Sequence, residues 1–239
     1  MSAGTFIMID GIDGSGKSTI MATFADALRT RGRTLFSLPD FQKQHQRLPS
    51  YEELASAEVV LSAEPSYCWF GAAIRQALIK NAGEFSGVSV AQAYALDREV
   101  GYRHCLIPAL ESGKVIISDR GVSTTLCYQP IQTSPVPVEL IVNLTGNRLA
   151  LEHRPDVLVL AHCPAQTAAA RLAARAGKQD NAMFERVEFL ERAAERFASP
   201  AFQSLFTERG TRIITVDTSR TIEDTRAAVT ELIPQLMAL

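Results

Sequence analysis

At 239 residues, with 46% hydrophobic and 21% charged positions, the chain has the length for one domain with a full core and the composition of a soluble globular protein. A net charge of −2 offers no basic surface for displacing counterions from a nucleic acid, and no apolar run approaches the ~18 residues of a membrane span. The four cysteines at 68, 105, 127 and 163 show no CxxC spacing and sit in or beside apolar segments, which predicts reduced, buried thiols in a cytoplasmic protein.

In chain order, the apolar run 5–9 (TFIMI) reads as a strand and leads into Gly11-Ile12-Asp13-Gly14-Ser15-Gly16-Lys17-Ser18. A helix is expected from Ser18, with Ile20, Phe24, Ala27 and Leu28 on one face. The second strand is either 34–38 or 58–62, and the polar, proline-containing stretch 39–57 between them reads as an insertion or mobile loop. A helical pattern follows through Phe70, Ile74, Ala77 and Leu78. Strands are then expected at 114–118, 156–161 and 211–216, and a last helix from Ile222 to Leu236. Within 171–184, the short polar stretch 175–182 (RAGKQDNA) has the character of a lid tip. Nearly continuous apolar strands separated by helices imply a doubly wound α/β domain with a five-stranded parallel sheet covered on both faces.

The stretch from Gly11 to Ser18 satisfies GxxxxGK[ST] between a strand and a helix, the context that motif requires. Glycines let backbone N–H groups turn inward around a phosphate, and the helix start adds partial positive charge. Lys17 is placed to bridge β- and γ-phosphates, and the Ser18 hydroxyl to meet Mg²⁺. Asp119-Arg120 ends an apolar strand, where such folds keep a metal-facing carboxylate; an ordinary ion pair is the plainer alternative. Tyr94 and Arg98 are four apart on a predicted helix, so a ring and a guanidinium share one face; a core tyrosine beside a surface arginine fits as well. Glu64, before Pro65, stands at a strand end, as a ligand contact or a helix cap. Only five of the 24 basic residues are lysines, and the arginine excess suits two-pronged grips on phosphate.

Three ordered segments carry more than any single motif: AEPSYCWFGAAIRQALI at 63–79, AYALDREVGYRHCLIPAL at 93–110 and KVIISDRGVSTTLCYQ at 114–129. Following a phosphate loop in this order, they resemble the thymidylate kinase family, and RPDVLVL at 154–160 continues the likeness. The resemblance implies transfer of the γ-phosphate of ATP to dTMP, with Mg²⁺, in a homodimer packed through helices. It implies that Gly11 to Ser18 and Thr19 bind ATP, and that Ser18 and Asp119 hold the metal. Glu64, Arg75, Tyr94, Arg98, Thr124, Thr125, Tyr128 and Gln129 would bind the acceptor. Tyr94 would stack on thymine, Arg98 would read a carbonyl, Arg75 would hold the acceptor phosphate, and Tyr128 would lie near the sugar 2′ carbon. Asp13 would reach the 3′-hydroxyl.

Loop positions 12–15 contain no basic residue. Beyond Lys17, and Arg120, which would cross to the transferring phosphoryl group, transition-state charge is therefore expected from the arginines Arg171 and Arg175, four apart on one helical face, with Lys178 a third candidate; a solvated basic face is the alternative. His162, where the family carries an acid, is expected to be structural. A kinase with a shifted acceptor, a non-catalytic nucleotide-binding relative, and a phosphate-loop switch remain competing readings.

Overall fold

The computed structural model describes residues 4–79, 84–174 and 186–236. Its centre is a sheet of six parallel strands, one more than the sequence reading: β1 (Thr5–Asp10), β2 (Leu35–Ser37), β3 (Val59–Ala63), β4 (Val115–Asp119), β5 (Val157–His162) and β6 (Arg212–Asp217). They lie in the order β2-β3-β4-β1-β5-β6. Both alternatives for the second strand are realised, because Leu35 to Ser37 pair with Val59 to Leu61 at the sheet edge.

Alternate residues of the central strands feed two separate cores, as strand pleating dictates. Phe6, Met8, Val60, Ile116, Leu158 and Leu160 point to one side. Ile7, Ile9, Val59, Ile117, Val157 and Val159 point to the other. The second face is closed by α1 (Lys17–Thr30) and α13 (Ile222–Leu236), through Ile20, Phe24 and Leu28 against Val229, Ile233 and Leu236. Each such fully buried side chain contributes roughly 1.5–3 kcal/mol.

The other face carries α5 (Gly87–Gly101), α7 (Val122–Tyr128), α9 (Thr145–Glu152), α11 (Val187–Ala198) and α12 (Pro200–Thr207). Gly146 lets α9 approach α5 closely; a Cβ there would stand 1.8 Å from the Ala95 carbonyl oxygen.

The stretch 39–57 holds two short helices rather than an irregular loop, α2 (Leu38–His45) and α3 (Tyr51–Ala55). Pro39 falls in the first turn of α2, where its missing N–H costs nothing, and the Ser37 side chain caps that helix by accepting from the Asp40 N–H. Ser50 and Glu53 form a reciprocal capping box on α3. Leu38, Gln42, Leu48 and Leu54 anchor the pair to the body. All four cysteines are free and buried, as expected. Among the described residues, no helix is long and apolar enough to cross a membrane.

Candidate active site

Strand ends converge on one edge of the sheet. Three backbone hydrogen bonds lock them together: Glu64 N–H to the Asp119 carbonyl (3.1 Å), Arg120 N–H to Ile9 (2.8 Å) and Thr218 N–H to His162 (2.8 Å). The phosphate loop emerges from β1 at this edge. Gly14 and Gly16 have φ of 79° and 91°, and a Cβ on Gly14 would come within 2.3 Å of the Ala168 carbonyl oxygen, so the loop path requires glycine. The loop is braced from β6, where the Thr218 hydroxyl donates to the Ser15 carbonyl at 2.6 Å. Helix α1 starts with no side-chain cap and no acidic residue in its first turn, which leaves its N-terminal dipole uncompensated.

Lys17 folds back over the loop and donates to the carbonyls of Gly11 (3.0 Å) and Ile12 (2.7 Å), with the Asp13 carboxylate 3.9 Å away. Burial, and then the nearby Arg120 charge, push its ammonium down to about 8. Arg120 follows β4 in the left-handed region, φ 69°, and this turn aims its guanidinium at Asp13, to which it donates, with Asp10 3.9 Å off. Asp10 is fully buried. It accepts from the Gly11 N–H (2.8 Å), from Thr124 (2.7 Å) and from Ser123, and desolvation raises its carboxyl above the ordinary value. The Tyr128 hydroxyl accepts from the Asp13 N–H at 3.1 Å, while its ring packs edge-on against Phe189 and Phe197.

Across from the loop, Arg98 on α5 is buried to 1% of its side chain. It donates to Glu64 (2.8 Å), to Thr125 (3.1 Å) and to the Asn147 amide oxygen, and Asn147 is itself pinned through its amide N–H₂ to the Ile141 carbonyl at 2.7 Å. The loop 64–68 after β3 is held by Asp97, which accepts from the Ser66 N–H (2.7 Å) and hydroxyl (2.6 Å). Arg75 donates to the carbonyls of Pro65 and Ser66 and stacks on the Tyr67 ring, 3.8 Å from its centroid. Tyr94 lies among these groups: burial pushes its phenol up to about 12, and the charges of Arg120, Arg75, Asp13 and Arg98 all act on it. It is thus a neutral hydroxyl and ring in a site of fixed charges.

The family model described as "Thymidylate kinase" matches residues 42–229, well over half of the chain. A "Probable thymidylate kinase" of Thermococcus gammatolerans is 30% identical over 97% of this chain and 97% of its own length. Relatives called "Thymidylate kinase" from Gluconobacter oxydans (25% identical, 99% and 97% covered) and Caldicellulosiruptor saccharolyticus (28%, 98% of each) align as fully. The chain belongs to the thymidylate kinase family.

Set beside the residues singled out from that resemblance, the geometry brings Asp13, Lys17, Glu64, Arg75, Tyr94, Arg98, Arg120, Thr125 and Tyr128 to one edge. Several face each other rather than open space. Thr124 gives its hydroxyl to Asp10. Thr125 accepts from Arg98. Glu64 pairs with Arg98 instead of capping a helix. Gln129 is buried, with its amide oxygen unpartnered among the described residues. Arg171, at the end of α10 (Ala165–Ala173), donates to the carbonyls of Thr218 (2.8 Å) and Arg220 (3.2 Å), so it fastens the turn after β6. Arg175 and the lid stretch from 175 to 184 lie outside the described residues.

The site also contains residues the sequence reading passed over. Asp10 had a local signal, a carboxylate ending the strand that feeds the phosphate loop. Asn147 had none, because it is 49 residues from its partner. For a divalent ion the donors are sparse and hard: the Asp119 Oδ1 at the end of β4 is buried without a hydrogen-bond partner among the described residues, and Ser18 is exposed in the first turn of α1. Such a set fits Mg²⁺, which takes few protein oxygens and completes its shell with phosphates and water.

Proposed function

We propose that this protein is a thymidylate kinase that transfers the γ-phosphate of ATP to dTMP, giving dTDP and ADP. The observation that carries the reading is the crowding of three cations, Lys17, Arg120 and Arg75. Arg120 lowers the proton affinity of both others, and burial does the same. Lys17, which is buried, and the half-buried Arg75 and Arg120 are together stabilised by a polyanion, and two nucleotides meeting end to end supply one.

In this account the N–H groups of residues 11–19 cradle the donor phosphates, and Lys17 leaves the Gly11 and Ile12 carbonyls to bridge the β- and γ-phosphates. Arg75 holds the acceptor phosphate. Arg120, turned by its left-handed backbone, reaches the transferring group. Tyr94 stacks on the base. Arg98 has an Nη1 hydrogen left after its bond to Asn147 and offers it to a thymine carbonyl. Asp13 accepts from the sugar 3′-hydroxyl, and the Tyr128 ring lies against the 2′ carbon, which disfavours a ribose. Gln129, next in the chain and buried, completes the acceptor side. Ser18 and Asp119 hold Mg²⁺, which neutralises phosphate charge when bound. Arg171 steadies the turn bearing Thr218, and Arg175 supplies charge from the lid. The unit is read as one nucleotide kinase domain over 1–239 with a lid at 171–184, working in the cytoplasm as a homodimer.

Positioning and neutralisation account for catalysis of this kind. The test is initial-rate ADP release from ATP with and without dTMP. Release that depends on dTMP is expected. Release at the same rate without an acceptor contradicts the proposal and marks a hydrolase or switch.

The depressed Lys17 ammonium sets a pH dependence. In the free protein it loses its proton as pH rises through about 8, whereas bound phosphates favour the charged form. ATP affinity is therefore level below about pH 8 and weakens by about tenfold per unit above it. Calorimetry at about pH 8.5 in buffers of different ionisation enthalpy should detect proton uptake on ATP binding, absent in Lys17→Met. An affinity unchanged between about pH 7 and about pH 9 contradicts it.

A further inference from the structure

Helix α2, from the stretch between β2 and β3, does more than cover the sheet edge. Gln42 is buried, and its amide oxygen accepts from the Tyr67 N–H at 2.9 Å, which ties the helix to the acceptor-side loop. One residue on, the Lys43 ammonium sits 4.2 Å from the centroid of the Tyr67 ring. The Arg75 guanidinium sits 3.8 Å from the same centroid. Among the described residues, neither cation has a carboxylate within ion-pair distance, although the chain carries 26 acidic residues. An aromatic ring attracts each of them through its face, but it does not neutralise them.

Two cations without a carboxylate partner among the described residues, on elements pinned to one another beside the same ring, leave positive charge for a doubly charged anion to neutralise. Arg75 is oriented by its bonds to the Pro65 and Ser66 carbonyls, and it keeps Nη1 free of partners among the described residues. Lys43 is an exposed point charge on a flexible stem, suited to follow a ligand as it seats. We infer that Lys43 is a second ligand of the acceptor's phosphate monoester, acting with Arg75 across Tyr67, and that α2 serves to deliver it. This rests on the reading of the site as one that accepts a nucleoside monophosphate.

The full-length Lys43→Ala and Lys43→Arg variants test the assignment. Lys43→Ala is expected to raise the KM for dTMP about five- to tenfold, with kcat and the KM for ATP within about twofold of the parent. Lys43→Arg recovers most of the loss, and binding of thymidine, which has no phosphate, is unchanged in both. An unaltered KM for dTMP in Lys43→Ala, or equal weakening of dTMP and thymidine, overturns the assignment; the second result makes Lys43 a brace of the Tyr67 loop. A parent protein that turns over dTMP beside an indifferent Lys43→Ala leaves the kinase reading standing. If the parent does not turn over dTMP, the kinase reading falls, and thermal stabilisation by inorganic phosphate decides for Lys43. A shift lost in Lys43→Ala supports the site, and an equal shift in both proteins overturns it.

Discussion

Arg98→Met is expected to lower the unfolding midpoint by roughly 10 °C and kcat/KM for dTMP by about a hundredfold, two losses with separate causes. The first comes from Glu64. Its carboxylate lies 2.7 Å from the guanidinium and its side chain is only 13% exposed; desolvation already raises its proton affinity, and Arg98 opposes that rise. Removing one partner of a buried pair costs about 3–5 kcal/mol because the remaining charge is stranded. The second loss is recognition, because under the proposed function the arginine would offer its remaining hydrogen to a base carbonyl from a position fixed by Asn147 and Thr125. A Glu64→Gln/Arg98→Met double variant separates the two. It recovers most of the midpoint, since no buried charge is left alone, and none of the dTMP activity. Thermal unfolding and steady-state kinetics on the three proteins check this. Recovery of both together would mean that Arg98 acts on stability alone.

Arg120→Ala is expected to reduce kcat by about 10²–10³-fold with a smaller change in the KM for ATP, because under the proposed function the group would act on charge that develops during transfer. The residue is tied to Asp13 and faces Asp10, so its loss also takes a cation from two carboxylates and leaves Lys17, 3.9 Å from Asp13, to offset them. Arg120→Lys provides the control: it retains the positive charge but not the fork, and a partial recovery of about tenfold is expected. The φ of 69° costs Ala and Lys alike, so backbone strain does not distinguish the variants. A kcat within a few-fold of the parent in Arg120→Ala would remove the residue from the reaction.

The parts of this molecule that were legible beforehand are those set by local pattern. The apolar strands, the glycines of the phosphate loop and the helical spacing of Ile20, Phe24 and Leu28 each follow from short-range chemistry, and all appear where that chemistry puts them. The two helices of the stretch 39–57 were not legible because they are eight and five residues long, too short for periodicity to show. Pro39, taken as punctuation, instead opens a helix. At the site, residue types identified the charges but not how they would pair. Thr124 and Thr125 are neighbours in sequence, yet one serves Asp10 and the other Arg98, because successive helical positions face different walls of the cleft. Arg171 and Arg175 share a helical spacing, but Arg171 is bound to the carbonyls of Thr218 and Arg220, a contact that only the return of β6 creates.

The central claim is that the phosphate loop and the Arg98 pocket form one site for a single transfer to one acceptor. Incubating the protein with ATP, Mg²⁺ and equal amounts of dTMP, dUMP, UMP and CMP, then weighing the nucleotide products by mass spectrometry, tests it in one vessel. The account predicts dTDP as the dominant diphosphate besides ADP, formed in equal amount to it. ADP without any acceptor diphosphate, or UDP or CDP in excess of dTDP, would contradict it.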